Sequence, residues 1–246
     1  MHADESAVQA LLQLVITEVN AGHSQQARAL CERALSQPHS GAARAALQQM
    51  MAVLCMQAGQ PKQAREHIAI SLAERPAHLP SLKIAGDAAR AAGDLLDACR
   101  HYEQVLAMQP ERIDVAVALA QTLQASGDTA ASERAWARVV ALAPALEEGW
   151  LQLANSRQDL RDWAGAIDAL RQLLRFAPNH ALAEVNLGIV LQESGQIDAA
   201  LRSYGRAYRL REDTFGRIAH ALSTPRSGRL WLDLDALRAE LRASAA

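Results

Sequence analysis

The sequence has few of the residues that build β-sheets. Aromatic residues make up only 4% of its 246 residues, and the apolar half of the composition is dominated by alanine and leucine. Alanine and leucine favour helices, whereas aromatic and β-branched residues favour strands. The composition therefore argues against a β-sandwich and indicates a helix-rich protein.

Lysine is almost absent, since Lys62 and Lys83 are the only two and the other basic residues are arginines. The formal net charge is -2, which leaves no overall positive field for a phosphate backbone. From Arg202 onward nine arginines stand against five acidic residues, so the C-terminal end is basic. No aromatic-interleaved basic motif accompanies these arginines, and nucleic acid is not expected as a partner.

Cysteine is also scarce, and Cys31, Cys55 and Cys99 have neither C-x-x-C spacing nor an even count. A disulfide framework or a zinc site is therefore not indicated, and a reducing compartment fits. No apolar run is long enough to span a membrane, and the N-terminal stretch contains Asp4 and Glu5 where a signal peptide would carry basic residues. We expect a soluble cytoplasmic protein without membrane contact.

Catalytic motifs are missing as well. The sequence contains no H-E-x-x-H, G-x-S-x-G, P-loop or G-x-G-x-x-G pattern. His67 and His101 could lie side by side on neighbouring helices, but no carboxylate or cysteine partners recur with them to close a metal site. The sequence therefore predicts a protein that is not an enzyme and that holds no cofactor or metal.

What the sequence does contain is an internal 34-residue repeat. Three sets of positions carry it: prolines that follow apolar helical stretches, glycines in predicted turns, and small residues five positions after those glycines. They are Pro76, Pro110, Pro144 and Pro178; Gly59, Gly93, Gly127 and Gly195, with Arg161 where a glycine is due; and Ala64, Ala98, Ser132, Ala166 and Ala200.

Each recurring residue has a physical role in a pair of antiparallel helices. The glycine allows a tight turn, the small residue allows close approach of the two helices, and the proline ends the second helix. Nine positions after the turn, bulky residues are expected on the inward face of the second helix: Ile68, Tyr102, Trp136, Leu170 and Tyr204.

This pattern resembles the tetratricopeptide repeat family, whose motif W-x2-L-G-x2-Y, A-x3-F and P is matched in phase by Trp150, Leu153, Ala154, Ala166, Leu170 and Pro178. The resemblance implies an all-α, right-handed superhelical solenoid of helix-turn-helix repeats over residues 1–214. Its units would span about 8–44, 45–78, 79–112, 113–146, 147–180 and 181–214. A C-terminal capping extension, residues 215–246, would follow.

The resemblance also implies a binding groove lined by the first helix of each repeat. Its positions would hold Gln49, Lys83, Asp87, Arg90, Gln121, Gln124, Gln152, Asn155, Gln158, Asn186 and Gln192, together with Gln57, Asp114, Glu148 and Glu193. Amide side chains can both donate and accept hydrogen bonds, so this lining suits the backbone of an extended peptide. Asp87 lies one turn after Lys83 and should pair with it.

The C-terminal segment departs from the repeat, because S-T-P-R-S-G predicts a turn and, after it, Leu230, Leu232 and Leu234 alternate with Arg229, Trp231 and Asp233. Leu230, Trp231, Leu232 and Leu234 form an apolar strip there. Two interpretations remain open: the strip caps the last repeat by packing on the segment around Ile218, or it docks on another chain.

Two functions follow from these features. The first is a scaffold or adaptor that binds an extended peptide segment of a partner protein in the groove. The second is a structural protein that self-associates when its tail or terminal repeat packs into a neighbouring copy, which makes a homo-oligomer.

Overall fold

A computed structural model describes residues 2–223 and 234–243 of the protein. Within these ranges it contains fourteen α-helices, one 3₁₀ turn and no β-strand, which confirms the predicted all-α repeat fold. The described residues divide into two compact units, unit 1 up to Ser126 and unit 2 from Gly127 onward.

Unit 1 contains seven helices: α1 (His2–Asn20), α2 (Ser24–Leu35), α3 (Gly41–Gln57), α4 (Pro61–Glu74), α5 (Leu79–Ala91), α6 (Leu95–Met108) and α7 (Ile113–Ala125). Unit 2 contains α8 (Thr129–Leu142), α9 (Glu147–Asp159), α10 (Trp163–Phe176), α11 (Ala181–Glu193), α12 (Ile197–Leu210), a 3₁₀ turn (Glu212–Thr214), α13 (Phe215–Ser223) and α14 (Leu234–Ala243). Successive helices pack as hairpins, among them α3 with α4, α5 with α6, α9 with α10 and α11 with α12.

Small residues at the helix crossings are buried as the repeat predicts. Ala98, Ala166 and Ala200 are each at most 1% exposed. A helix cap also recurs with the 34-residue period. Asp94, Asp128 and Asp162 each cap a second helix by accepting a hydrogen bond from the backbone amide three residues later. Such caps satisfy amide groups that the first helical turn leaves without a partner.

The turn positions require a left-handed backbone. Gly22 and the four turn glycines of the later repeats have φ between 68° and 84°, a region that costs other residues energy because of their Cβ atom. Arg161 occupies the same slot with φ 60° and is the one residue other than glycine with a positive φ in the described part of the chain.

We therefore expect Arg161→Gly to raise the free energy of unfolding by about 1 kcal/mol, because glycine removes the strain of this backbone conformation. Gly195→Ala is the matched control, since it introduces the same strain into the equivalent turn and should lower stability by a similar amount. Urea denaturation followed by circular dichroism measures both. A destabilised Arg161→Gly variant would contradict the prediction.

The N-terminal boundaries differ from those predicted. Helix α1 begins at His2 rather than near residue 8, and α3 begins at Gly41, four residues before the predicted unit boundary. The Ser40 side chain accepts a hydrogen bond from the Ala43 backbone amide and so starts α3 earlier.

The C-terminal extension places α14 against α12. Leu237 and Leu241, one turn apart on α14, are both 0% exposed. The Arg238 guanidinium lies 4.3 Å from the centre of the Phe215 ring, a cation–π contact that adds to this packing. The extension therefore covers the last repeat helix.

Candidate functional site

A groove on the first helices of unit 1 brings together five of the predicted residues. Lys83, Asp87 and Arg90 on α5 and Asp114 and Gln121 on α7 line one cavity of about 610 Å³. We call it the first-helix groove. Asp87 and Gln121 are 34 residues apart and so occupy equivalent positions of two neighbouring repeats.

Asp87 is held by two partners in this groove. Lys83 Nζ donates to its Oδ2 at 2.9 Å, as predicted, and the Tyr102 hydroxyl donates to its Oδ1 at 2.8 Å. Burial and the hydrogen bond to Asp87 both raise the pKa of Tyr102, which keeps this hydroxyl protonated as a donor. The carboxylate of Asp87 is therefore fixed in orientation.

Asp114 and Arg90, the other two charged residues of the groove lining, differ in their partners. Arg112 donates to both carboxylate oxygens of Asp114 at 2.8 Å, and this hydrogen bonding lowers the pKa of Asp114. Arg90 is exposed and forms no ion pair with any residue that the structure describes. It is therefore the one charged lining residue without an ion-pair partner among the described residues.

Four apolar residues in the same groove were not predicted. Met56, Ala91, Val117 and Ala118 line it together with the polar residues. Met56 and Val117 occupy repeat positions that face the groove, but only polar residues were selected at those positions as candidates. An apolar lining adds contact area for the side chains of a bound peptide.

Gln49 and Gln124 do not line this cavity. Gln49 uses its amide oxygen within the fold, since Arg75 Nη2 and Ser81 Oγ both donate to Gln49 Oε1 at 3.2 Å. Gln124 lies exposed on α7, where it also has a polar contact.

In unit 2 the predicted amides lie on two neighbouring first helices. Gln152, Asn155 and Gln158 are on α9, and Asn186 is on α11. Gln158 Nε2 donates to the Glu193 carboxylate of α11 at 3.3 Å, which links the two helices. Asn155 and Asn186 donate no side-chain hydrogen bond to the described residues, whereas Gln152 has a partner.

Gln192 lies inside the packing rather than on the groove surface. It is only 4% exposed, its Nε2 donates to the Ala221 backbone oxygen at 3.0 Å, and its Oε1 accepts from the Tyr204 hydroxyl at 3.0 Å. A buried amide with both ends bonded stabilises the fold and offers nothing to a peptide. The prediction that Gln192 lines the groove is wrong for this reason.

Only one of the four residues of the predicted tail strip lies in the part of the chain that the structure describes. Leu230, Trp231 and Leu232 lie outside the described residues. Leu234 begins α14 and is 49% exposed, so it does not belong to the packed face, which Leu237 and Leu241 form instead. Helix α14 packs mainly on α12. The expected docking of the strip on Phe215, Ile218 and Leu222 stays a prediction.

The described residues give little support for a metal site, a reactive cysteine or a membrane span. No group of three histidine, cysteine or acidic side chains there has the arrangement of a metal site. All three cysteines are buried, and burial raises the pKa of Cys31 to about 11, which makes it a poor nucleophile near neutral pH. None of the described helices combines the length and apolar character that a membrane span requires.

Comparisons with solved structures find the same fold in other repeat proteins. The C-terminal part of a tetratricopeptide repeat protein from Cytophaga hutchinsonii is 10% identical, with a TM-score of 0.72 over 86% of this chain and 84% of that one. MamA from Desulfovibrio magneticus is 18% identical, with a TM-score of 0.59 over 69% and 96% of the two chains. YrrB, a tetratricopeptide repeat protein with an unusual peptide-binding site, is 18% identical, with a TM-score of 0.63 over 73% and 92%.

One of two sequence comparisons supports this fold. The comparison with curated proteins finds no match. The family model of the tetratricopeptide repeat matches residues 151–216, which cover most of the last two complete helix pairs. This match identifies residues 151–216 as tetratricopeptide repeat sequence, and the helix hairpins that recur with the 34-residue period give the chain the fold of that family.

Proposed function

We propose that this protein is a non-catalytic scaffold or adaptor of the cytoplasm that binds an extended peptide segment of a partner protein in the first-helix groove. The single observation that carries the proposal is the convergence of Lys83, Asp87, Arg90, Asp114 and Gln121 on one cavity. The tetratricopeptide repeat fold is typical of protein–protein interaction, and YrrB, which shares the fold, has a peptide-binding site.

The groove has the chemistry that an extended backbone requires. Gln121 is half-buried and makes no side-chain hydrogen bond to the described residues, so its amide can both donate to and accept from a peptide. Met56 and Val117 offer apolar contact beside it. Arg90 disfavours basic peptides by charge repulsion.

The test uses peptides selected on the full chain from a random library without aspartate or glutamate, with amidated C-termini. We expect Gln121→Ala to weaken the affinity of a selected peptide roughly fivefold, because one peptide hydrogen bond contributes about 1 kcal/mol. Fluorescence anisotropy measures the dissociation constants.

Gln104→Ala is the matched control, since Gln104 is an exposed glutamine on the second helix α6 of the same unit. It should leave affinity within twofold. Equal weakening by both substitutions, or weakening by Gln104→Ala alone, would place peptide binding outside the first-helix groove.

Self-association is the second candidate, and one observation favours it. Helix α1 leaves the Leu14 side chain 46% exposed, an apolar group at the terminal repeat that a second copy could cover. Light scattering at several concentrations separates the candidates. A monomer mass that does not change with concentration leaves the adaptor, whereas a dimer that Leu14→Ser dissociates supports self-association.

A further inference from the structure

A second groove lies in unit 2 between the second helices α10 and α12, with α11 contributing to its lining. Its volume is about 470 Å³. Arg171 and Arg175 border it from α10, one turn apart, and Arg202 and Arg206 border it from α12 with the same spacing. We call this cavity the arginine groove. It shares no residue with the first-helix groove.

One acidic residue faces these four arginines, and it is already paired. Glu184 on α11 is only 5% exposed, and Arg206 donates to both of its carboxylate oxygens, at 2.7 Å and 3.1 Å. This bidentate pair is neutral as a whole. It leaves three arginine charges along the groove.

The other three arginines have no carboxylate partner among residues 2–223 and 234–243. Arg171 and Arg202 are exposed and form no ion pair there, and Arg175 donates only to the neutral Gln172 side chain at 3.2 Å. Asp168 and Asp198 are the acidic residues of α10 and α12, but neither lines the groove. The groove is therefore a concentrated positive site in a chain of net charge -2.

The lining between the arginines is apolar. Leu174 on α10 is half-buried, and Leu187 and Leu191 on α11 are buried. Guanidinium groups beside aliphatic side chains match a ligand that carries carboxylates and aliphatic groups close together. A nucleic acid backbone supplies the negative charge but no aliphatic side chain.

We propose that the arginine groove binds an acidic protein segment that carries aliphatic side chains between its carboxylates. The chain's own C-terminal segment does not suit the site, because Arg226 and Arg229 precede its apolar residues and would be repelled. The occupant is therefore a segment of another protein, bound independently of the first-helix groove.

The test uses the full chain and a fluorescein-labelled peptide, Glu-Asp-Leu-Glu-Glu-Leu-Asp-Glu, at physiological salt. Arg171→Glu with Arg202→Glu should weaken binding at least tenfold, because attraction by two charges becomes repulsion. The control, Arg44→Glu with Arg217→Glu, makes the same change of net charge at two exposed arginines outside the groove and should stay within threefold. Circular dichroism verifies that both variants fold, and Arg171→Gln with Arg202→Gln should show a smaller loss in the same direction.

Two further probes decide the chemistry of the ligand. The same peptide with serine in place of both leucines should bind at least fivefold more weakly, and a single-stranded oligonucleotide of twelve bases should bind more weakly than the leucine peptide. Equal loss in the groove and control variants, or equal affinity for all three probes, would overturn the proposal. Gln121→Ala should leave the affinity for the leucine peptide unchanged, so that failure of this site and failure of the first-helix groove are distinguishable.

Discussion

Replacement of both Leu237 and Leu241 by alanine should lower the free energy of unfolding of the C-terminal part by about 3 kcal/mol. Both side chains are fully buried on α14, where they pack toward α12. Burial of a leucine contributes about 1.5 to 3 kcal/mol, and ordering of the helix offsets part of that gain. The loss cannot exceed the free energy with which α14 docks on α12, because α14 separates from α12 once the substitutions cancel that free energy.

That limit makes a second variant informative. Truncation after Ser223 removes α14 altogether and should cost about the same as the double substitution, as measured by urea denaturation. Leu234→Ala is the matched control on the same helix, since Leu234 is 49% exposed and its loss should change stability by less than about 0.5 kcal/mol. A Leu234 effect as large as that of Leu237→Ala, or a truncated chain of unchanged stability, would contradict this account of the cap.

The tail shows why its packing was only partly predictable from the sequence. The alternation of Leu230, Leu232 and Leu234 with Trp231 and Asp233 resembles a strand and predicted an apolar strip at these residues. The stronger signal is the spacing of Leu237 and Leu241, one helical turn apart on an amphipathic helix. Helical spacing predicts which residues form an apolar face, but the helix that this face contacts depends on tertiary packing.

More of the repeat structure was predictable from the sequence, because residues at equivalent positions of each repeat meet the same local structural requirement. The 34-residue spacing locates the second helices, and the exception at Arg161 even shares the left-handed backbone of the turn glycines. The sequence predicted which polar residues occupy groove positions. It did not predict which of their side chains already have hydrogen-bond partners within the fold. Gln192 occupies a groove position, yet Tyr204 and the Ala221 backbone engage its amide, and neither contact is encoded in the repeat.

One tertiary contact has a signal in the sequence. Tyr102 follows Gly86 at the same interval as Tyr204 follows Gly188, whereas Leu170 follows Ala154 at that interval. In the structure each tyrosine ring lies against the glycine of its own repeat. In these two repeats the glycine on the first helix therefore leaves room for the tyrosine ring on the second.

This pairing predicts a large effect for Gly188→Ala. A Cβ atom at Gly188 would lie 2.4 Å from Tyr204 Cε1, well inside van der Waals contact. The ring is fully buried and its hydroxyl donates to Gln192, whose amide in turn donates to the Ala221 backbone oxygen, so the ring cannot turn away without breaking these bonds. We expect a loss of about 2 to 3 kcal/mol in the free energy of unfolding.

Two companion variants identify the cause of that loss. Gly216→Ala adds a methyl group to a helix where no other atom lies within 4 Å of the new Cβ, so it should be neutral or slightly stabilising. Gly188→Ala combined with Tyr204→Leu recreates the pairing of Ala154 with Leu170 and should cost at least about 1 kcal/mol less than the sum of the two single substitutions. Strict additivity in urea denaturation would mean that the added methyl group acts through something other than the tyrosine ring, and the size matching between the two helices would then not explain the glycine.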